Sequence, residues 1–367
     1  MKRLIILEHE PLTERLRQIW NIKELQSQGV DVQYWDLSRL IFPERIIPGI
    51  FEDDSVIVIK TFEEFRTALH NVDVEDALFA LEIFPNWHNR RIIRELQRCG
   101  AKCFKIDFYA NTSIPVDIRS RLKVFLREGI FSRLLTKICW MVYSRLYLGE
   151  IYDFVASSSK TVRPRYLIHH PDAEAFRNES VPLVHAPYIV FVDIFYPLHS
   201  DLELVSSVTE ATVREYRNTM NRYFAYLEEK YQMPVVIAAH PKADYDGSEF
   251  EGRRIIAGRT GNLVKYSSMV IMHHSNSMSY IALADKPFTF VYPDSYHVHK
   301  DLLSYIESMA AYCENDAYNL DVVPFDEIKI ERLNRDVKER YLDTYISSSE
   351  IKDKTNSEIM ISILKEN

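Results

Sequence analysis

Polar side chains follow four apolar, strand-like segments in the second half of the chain. They are Asp193, then His240, Pro241 and Lys242, then Arg259 and Thr260, and finally His273, His274, Ser275, Asn276 and Ser277. Because ligands bind outside the carboxyl ends of the strands in open α/β sheets, we expect these side chains to line one site. Their imidazole, ammonium, guanidinium, hydroxyl and amide groups together suit an anion.

The helix-like segment SMSYIALAD begins within the last of these runs. Ser275 or Asn276 at its N-cap would leave backbone N–H groups pointing outward, and these groups and the helix dipole favour an anion such as a phosphate. Lys242, Arg259 or a charged His240 would add positive charge for the same anion. The pattern predicts a phosphate or diphosphate site that needs no metal.

Two other interpretations stay open for the same residues. The Ser-Asn-Ser run could simply cap a helix, with the histidines as ordinary loop residues. Zinc is a competing ligand for His240, His273 and His274. Against zinc, the sequence has no H-E-x-x-H and no cysteine nearby, and adjacent histidines on one strand point to opposite faces.

Acidic side chains follow two strand-like segments of the first half. Glu10 lies in LEHEPLTER and Asp107 in KIDFYANTS. A carboxylate with a pKa raised by partial burial could act as a general base toward a bound hydroxyl. Glu10 and Asp107 are therefore candidate catalytic residues, although each could equally be a helix cap or a surface charge.

Strand-like and helix-like segments alternate in both halves of the chain, which is typical of α/β domains with parallel sheets. The alternation stops at 116–148, where arginine and lysine are frequent and no strand pattern occurs. We predict a first domain over 1–185 with a basic helical insert at 116–148, a second domain over 186–325, and a helical tail over 326–367.

Composition excludes several classes of protein. The net charge of -8 over 367 residues argues against a general nucleic-acid binder. The apolar runs are shorter than the roughly 20 residues that span a bilayer, and the four cysteines have no C-x-x-C spacing. With 9 glycines and no G-x-G-x-x-G or Walker motif, dinucleotide and P-loop sites are not expected. These features favour a cytoplasmic protein.

The second half resembles a known family. His240 and Pro241 look like the HP motif of bacterial surface-polysaccharide glycosyltransferases of the GT-B type, and Ser275 to Ser277 look like their serine-rich motif. This group makes capsule and O-antigen and includes bacterial sialyltransferases and Kdo transferases. The resemblance covers roughly residues 150–295 and implies two Rossmann-like domains facing a central cleft. The acidic motif that supplies the base in sialyltransferases has no clear copy here.

The resemblance implies transfer of a sugar from a nucleotide-sugar donor, with a CMP-linked donor as one option, and no metal or other cofactor. The acceptor would be a surface glycan or a lipid-linked glycan bound by the first domain. The residues that would bind the donor are His240, Pro241, Lys242, Arg259, Thr260, His274, Ser275, Asn276 and Ser277. Among them, His240 would also offset the charge of the leaving group, so we count it with Glu10 and Asp107 as a catalytic candidate.

The basic segment 116–148 interleaves arginine and lysine with aromatic residues. It could rest on an anionic bilayer that carries a lipid-linked acceptor, which would place the protein at the periphery of the inner membrane. The alternative is a helical pair packed on the first sheet with a solvated basic face.

Other functions use the same fold and site. A sugar-nucleotide epimerase or hydrolase would need no acceptor, and a polyol-phosphate transferase would leave phosphorus in its product. A catalytically silent partner in a glycan pathway is the non-enzymatic alternative.

Overall fold

The computed structural model describes residues 3–44, 53–108, 138–198, 209–298 and 300–367. These residues divide into two units. The first contains the described residues up to Phe108, those from 138 to His169, and Ser348–Asn367. The second contains the described residues of His170–Ser347.

The first unit is built on a seven-stranded parallel sheet with the strand order β3-β2-β1-β4-β5-β6-β7. The strands are β1 (Arg3–Glu8), β2 (Val32–Asp36), β3 (Val56–Val58), β4 (Ala77–Glu82), β5 (Cys103–Asp107), β6 (Phe154–Ser157) and β7 (Tyr166–Leu167). The helices between them are α1 (Glu14–Ile19), α2 (Ile22–Ser27), α3 (Ser38–Ile41), α4 (Phe62–His70) and α5 (Arg90–Arg98).

Both faces of this sheet are buried. In β1, Leu4 and Ile6 belong to one hydrophobic core, and Ile5 and Leu7 belong to another on the opposite face. A strand with four successive apolar residues, such as Leu4 to Leu7 of β1, needs cover on both sides, which crossover helices of a parallel sheet provide. The sheet therefore fixes the carboxyl end of β1, where Glu8 lies.

The basic segment is described only in part. Residues 116–137 lie outside the described residues, and residues 138–148 are helical, ending in a π-helical turn at Ser144–Leu148. Trp140 and Tyr143 pack against the first unit's core, whereas Leu146 and Tyr147 are exposed. The described part thus has one packed face and one solvent face.

The second unit contains a six-stranded parallel sheet with the strand order β10-β9-β8-β11-β12-β13. Its strands are β8 (Ile189–Val192), β9 (Val235–Ala239), β10 (Ile255–Ala257), β11 (Met269–Met272), β12 (Phe288–Tyr292) and β13 (Ala317–Asn319). Its helices are α6 (Pro171–Asn178), α7 (Glu210–Tyr231), α8 (Thr260–Tyr266), α9 (Met278–Ala284), α10 (Lys300–Tyr312) and α11 (Arg335–Tyr341).

Helix α6 belongs to the second unit, although the predicted boundary near 185 assigns it to the first. Ala173 lies in the core that contains Met278. The Asp172 carboxylate accepts hydrogen bonds from the Ser279 hydroxyl at 2.5 Å and the Tyr280 hydroxyl at 2.8 Å. These partners follow more than a hundred residues later, so the local pattern around α6 does not reveal them.

The end of the chain returns to the first unit as helix α12 (Asn356–Glu366). Thr355 and Glu358 form a capping box at its start, and Ile359 and Ile363 pack into the core that contains Leu4. The predicted tail of 326–367 is therefore divided between the units at Ser347 and Ser348. Among the described residues, no helix combines the length and apolar character that crossing a membrane requires.

Candidate functional site

Four strand ends of the second sheet lie side by side. The strand order β10-β9-β8-β11 brings the residues after each strand to one edge, with Asp193 flanked by His240 on one side and His273 on the other. Arg259 follows β10, beyond His240. Because neighbouring strands lie about 4.8 Å apart, the ends of β9 and β11 are separated by about 10 Å. This spacing leaves room for a small anionic group between them.

Asp193 is the central residue of this edge and is only 3% exposed. Its Oδ1 accepts a hydrogen bond from the Phe195 N–H at 2.9 Å, and its Oδ2 accepts from the His240 N–H at 3.2 Å and the Tyr245 hydroxyl at 2.9 Å. Burial raises the pKa of Asp193 to about 6, although its hydrogen-bond donors oppose the shift. The carboxylate therefore joins two loops.

His240 is oriented through its backbone and its ring. The Lys242 N–H donates to His240 Nδ1 at 3.2 Å, so the neutral ring carries its proton on Nε2. Pro241 and Lys242 are exposed beside it. This loop can present an imidazole N–H and a lysine ammonium group to a ligand at the sheet edge.

The two adjacent histidines have different environments. His273 is fully buried, and its Nδ1 lies 2.6 Å from the Val291 carbonyl oxygen and its Nε2 3.0 Å from the Tyr216 hydroxyl. Burial lowers the pKa of His273 to about 4. His273 is thus a neutral structural residue, whereas His274 is half-buried and lies edge-on to Tyr305.

The turn before α9 differs from the prediction. The N-cap is Ser277, so the expected cap at Ser275 or Asn276 is wrong. The Ser275 hydroxyl accepts the Ser277 N–H at 3.1 Å, and the Met278 N–H donates to the Ser275 carbonyl at 3.2 Å. Residues 275–277 therefore form a turn of their own, which uses the Ser277 N–H that the prediction left for a ligand.

Arg259 already has an acidic partner. Its Nη2 lies 3.1 and 3.3 Å from the two carboxylate oxygens of Glu179, which also accepts from Asn262 Nδ2 at 2.6 Å. Thr260 is the first residue of α8 and is partly buried. The guanidinium charge of Arg259 is therefore largely offset within the second unit, which reduces its value for binding a phosphate.

The two predicted carboxylates of the first unit lie at its strand ends but differ in exposure. Glu10 is exposed, so the expected partial burial is wrong for this residue. Asp107 is partly buried, and its Oδ1 lies 3.6 Å from Lys105 Nζ. Neither side chain has a hydrogen-bonded imidazole or amide beside it among the described contacts.

A cluster that the sequence prediction missed lies at the ends of β1 and β4. His9 Nδ1 lies 2.7 Å from Glu8 Oε1 and 2.9 Å from the Glu82 carbonyl oxygen. The hydrogen bond to Glu8 raises the pKa of His9. Burial raises the pKa of the Glu82 carboxyl to about 8, and the Ile106 N–H donates to that carboxyl at 2.8 Å. Glu8 and Glu82 are directly opposite in the sheet, which LEHE alone does not reveal.

A cavity of about 300 Å³ opens beside His9. Its lining residues are His9, Ile41, Phe42, Phe84, Asn86, His88 and Asn89. The Phe84 ring is 67% exposed and its centroid lies 5.1 Å from that of His9. An imidazole with a carboxylate partner at an apolar cavity is a suitable arrangement for proton transfer from a bound hydroxyl.

The buried Asp193 and His273 predict opposite pH dependences of stability. From pH 6 to pH 4, the folded state takes up a proton at Asp193 that the unfolded state does not yet bind, which stabilises the fold. Below pH 6.5, the unfolded state takes up a proton at His273 that the folded state excludes. Acidification therefore destabilises the folded state at this residue. Each shift corresponds to about 3 kcal/mol.

We therefore expect two variants to change the pH dependence in opposite directions. Relative to wild type, acidification from pH 6 to 4 should stabilise His273→Phe by about 2 kcal/mol and destabilise Asp193→Asn by a similar amount. Urea unfolding at pH 4, 5, 6 and 7 measures both differences. Parallel curves for all three proteins would contradict the assigned environments.

No family model and no curated protein matches the sequence. Known structures do match the fold. The wall teichoic acid polymerase TagF is similar with a TM-score of 0.52 and 12% identity, over 100% of this chain and 90% of that chain. A variant of TagF gives a TM-score of 0.53 and 11% identity, over 100% and 88%. The calicheamicin glycosyltransferase CalG4 gives 0.48 and 12%, over 100% and 99%.

The fold class follows from these observations. The chain forms two α/β domains with parallel sheets of seven and six strands, and its structural neighbours are of the GT-B type. The predicted GT-B class is confirmed. Among the described residues, no group of three or more histidine, cysteine or acidic side chains is arranged to hold a metal ion.

Proposed function

We propose that this protein is a metal-independent glycosyltransferase that moves a sugar from a nucleotide-sugar donor to a hydroxyl group of an acceptor. The observation that carries the proposal is the edge of the second sheet, where His240 and the Ser275 to Ser277 turn flank Asp193 in a GT-B fold. Ligands of open α/β sheets bind at such an edge.

The donor's phosphate would lie between the loop of His240 and the turn before α9. His240 Nε2–H and the Lys242 ammonium group would hold it from one side, and the Ser277 hydroxyl and the Asn276 amide from the other. His274, Pro241 and Thr260 would shape the site. When the bond between the anomeric carbon and the phosphate oxygen breaks, these donors offset the negative charge that develops on the leaving group.

His9 has the geometry that best supports a general base. Because its Nδ1 faces the Glu8 carboxylate, Nε2 can accept the proton of an acceptor hydroxyl while the oxygen bonds to the anomeric carbon. The resulting imidazolium is stabilised by Glu8. Asp107 and Glu10, the bases expected from sequence, stay as alternatives that the same substitutions test.

The finer proposal is an acceptor from a bacterial surface glycan, such as capsule or O-antigen, or a lipid-linked precursor of one. Support comes from the described end of the basic segment, where Arg145 is exposed beside the apolar side chains of Leu146 and Tyr147. Such a mixed surface suits the boundary of an anionic bilayer. The protein would then act at the periphery of the inner membrane.

A thermal-shift screen with CMP, CDP, UDP, GDP and dTDP tests the donor site. A nucleotide at 100 times its dissociation constant should stabilise the protein by about 2.7 kcal/mol, which raises the melting temperature. The corresponding nucleosides are the control, because they lack the phosphate that the site is built to bind. If no nucleotide stabilises the protein, the proposal fails.

A turnover assay separates the related functions. Release of nucleotide from a sugar nucleotide only when a glycan acceptor is added supports transfer, and anionic vesicles should accelerate it if the acceptor is membrane-bound. Turnover without an acceptor would favour an epimerase or hydrolase. Phosphorus in the acceptor product would favour a polyol-phosphate transferase.

A further inference from the structure

We propose that Asp193 is the positioning residue of the donor site, and that it acts by fixing the loop of His240. The inference rests on the proposed donor function of that edge. Asp193 follows β8, between the ends of β9 and β11, and its carboxylate is tied to the backbone of two loops. The ligand of this site would be a phosphate-bearing sugar donor, and Asp193 would affect its binding without contacting it.

The contacts of Asp193 use both of its oxygens. One oxygen accepts from the Phe195 N–H in its own loop, and the other accepts from the His240 N–H and the Tyr245 hydroxyl in the loop after β9. The Tyr245 ring also packs edge-on against Phe195, with centroids 5.6 Å apart. The two loops are therefore joined by one buried carboxylate and one aromatic contact.

The loop after β8 is held in an unusual conformation. Phe195 has a φ of 56°, in the left-handed region that bulky residues rarely adopt. Such a conformation persists when surrounding contacts determine it, and it is often associated with functional sites. The hydrogen bond from the Phe195 N–H to Asp193 is one of these contacts. Loss of the carboxylate should relax this loop as well as that of His240.

The charge and burial of Asp193 indicate that it positions other groups and does not bind the phosphate itself. A negative charge beside an anion site opposes binding of a phosphate, and a carboxylate that is 3% exposed offers no surface to the donor. Such a buried carboxylate helps phosphate binding only by holding the hydrogen-bond donors of the site in position. His240 is the hydrogen-bond donor that Asp193 contacts directly, because the backbone N–H of His240 donates to the Asp193 carboxylate.

The substitution Asp193→Asn tests this role. An amide can accept through one atom only, so either the Phe195 N–H or the His240 N–H would face an NH₂ group. We expect affinity for CMP or UDP to fall by about tenfold while affinity for cytidine or uridine stays the same. The ratio of the nucleotide and nucleoside dissociation constants, measured by calorimetry, isolates the phosphate contribution.

A double-mutant cycle with His240→Ala gives the second readout. If Asp193 acts through His240, then Asp193→Asn should not weaken nucleotide binding further once His240 is alanine. Asp244→Asn is the matched control, because Asp244 is an exposed carboxylate in the same loop and should leave both affinities unchanged. Tyr245→Phe removes one donor to Asp193 and should weaken the phosphate contribution by about threefold.

The outcomes are distinguishable. Equal losses of nucleoside and nucleotide affinity, or additive effects in the cycle, would overturn the role of Asp193 and leave the donor site intact. Failure of wild type to bind any nucleotide would instead refute the proposed function. If Asp193→Asn does not fold, Tyr245→Phe carries the test, and an unchanged phosphate contribution in that variant overturns the proposal.

Discussion

Replacing His9 by alanine should lower kcat by about 10²- to 10⁴-fold and leave nucleotide affinity unchanged. The reason is that His9 lies at the cavity of the first unit with its Nδ1 2.7 Å from Glu8. The variant therefore loses the base that removes the proton from the hydroxyl of the sugar acceptor. Initial rates with saturating donor and acceptor measure the effect. Calorimetry with the free nucleotide shows whether the donor site is intact.

The pH profile gives a sharper form of the same prediction. His9 acts as a base only when neutral, so activity should fall as the pH drops through its pKa. The hydrogen bond to Glu8 raises this pKa above the ordinary histidine value of 6.5. In Glu8→Gln, the acidic limb of kcat/KM should therefore move to lower pH. An unchanged pH profile of kcat/KM in Glu8→Gln would show that His9 is not the base.

Two further substitutions compare His9 with the bases expected from sequence. Glu10→Gln should retain nearly wild-type kcat, because Glu10 is exposed. Asp107→Asn should also retain it, since its carboxylate lies by Lys105 rather than at the cavity. A large loss in either variant, with little loss in His9→Ala, would transfer the role of base to that carboxylate.

Replacing His240 by alanine should lower kcat by about 10²- to 10³-fold and also weaken binding of the nucleotide. The variant removes an N–H donor whose direction is fixed by the Lys242 N–H on Nδ1 and by the bond from the His240 N–H to Asp193. The leaving phosphate would then develop its negative charge without the hydrogen bond from the His240 ring, and a water molecule would replace that hydrogen bond only in part.

His185→Ala is the matched control for this second substitution. His185 is exposed, whereas His240 is partly buried, and it precedes β8, so it lies on the amino side of the same sheet, away from the carboxyl ends of the strands. Both variants are assayed for kcat and for nucleotide affinity. Equal activity of His240→Ala and His185→Ala would remove His240 from the donor site.

Much of the fold was predictable because the signal is local. Segments such as LIIL (Leu4 to Leu7) and VVIAA are apolar at every position, which is typical of strands covered on both faces, and helix-like segments separate most of them. The rule that ligands bind at the carboxyl ends then selects His240 and the turn before α9 without knowledge of the strand order. The GT-B class followed from the same alternation and from the resemblance of two short motifs.

The partners of the site residues were not predictable in this way. Arg259 was predicted to bind the donor, and its partner Glu179 is 80 residues away along the chain. Glu10 was expected to be partly buried, and its exposure cannot be read from LEHE. The expected cap at Ser275 or Asn276 was wrong, because residues 275–277 form a turn and the N-cap is Ser277. Each of these differences concerns a contact, a burial or a cap position rather than the type of segment.

The sequence by itself determined the strands, most helices and the polar residues that follow the strands, because these depend on the chemistry of neighbouring residues. Only the tertiary structure decided which distant groups meet: Glu8 with Glu82, Asp193 with the His240 loop, α6 with the second unit and α12 with the first. The physical reason is that parallel strands pair across long crossovers, so residues far apart along the chain become neighbours, and their burial and pKa values follow from that pairing.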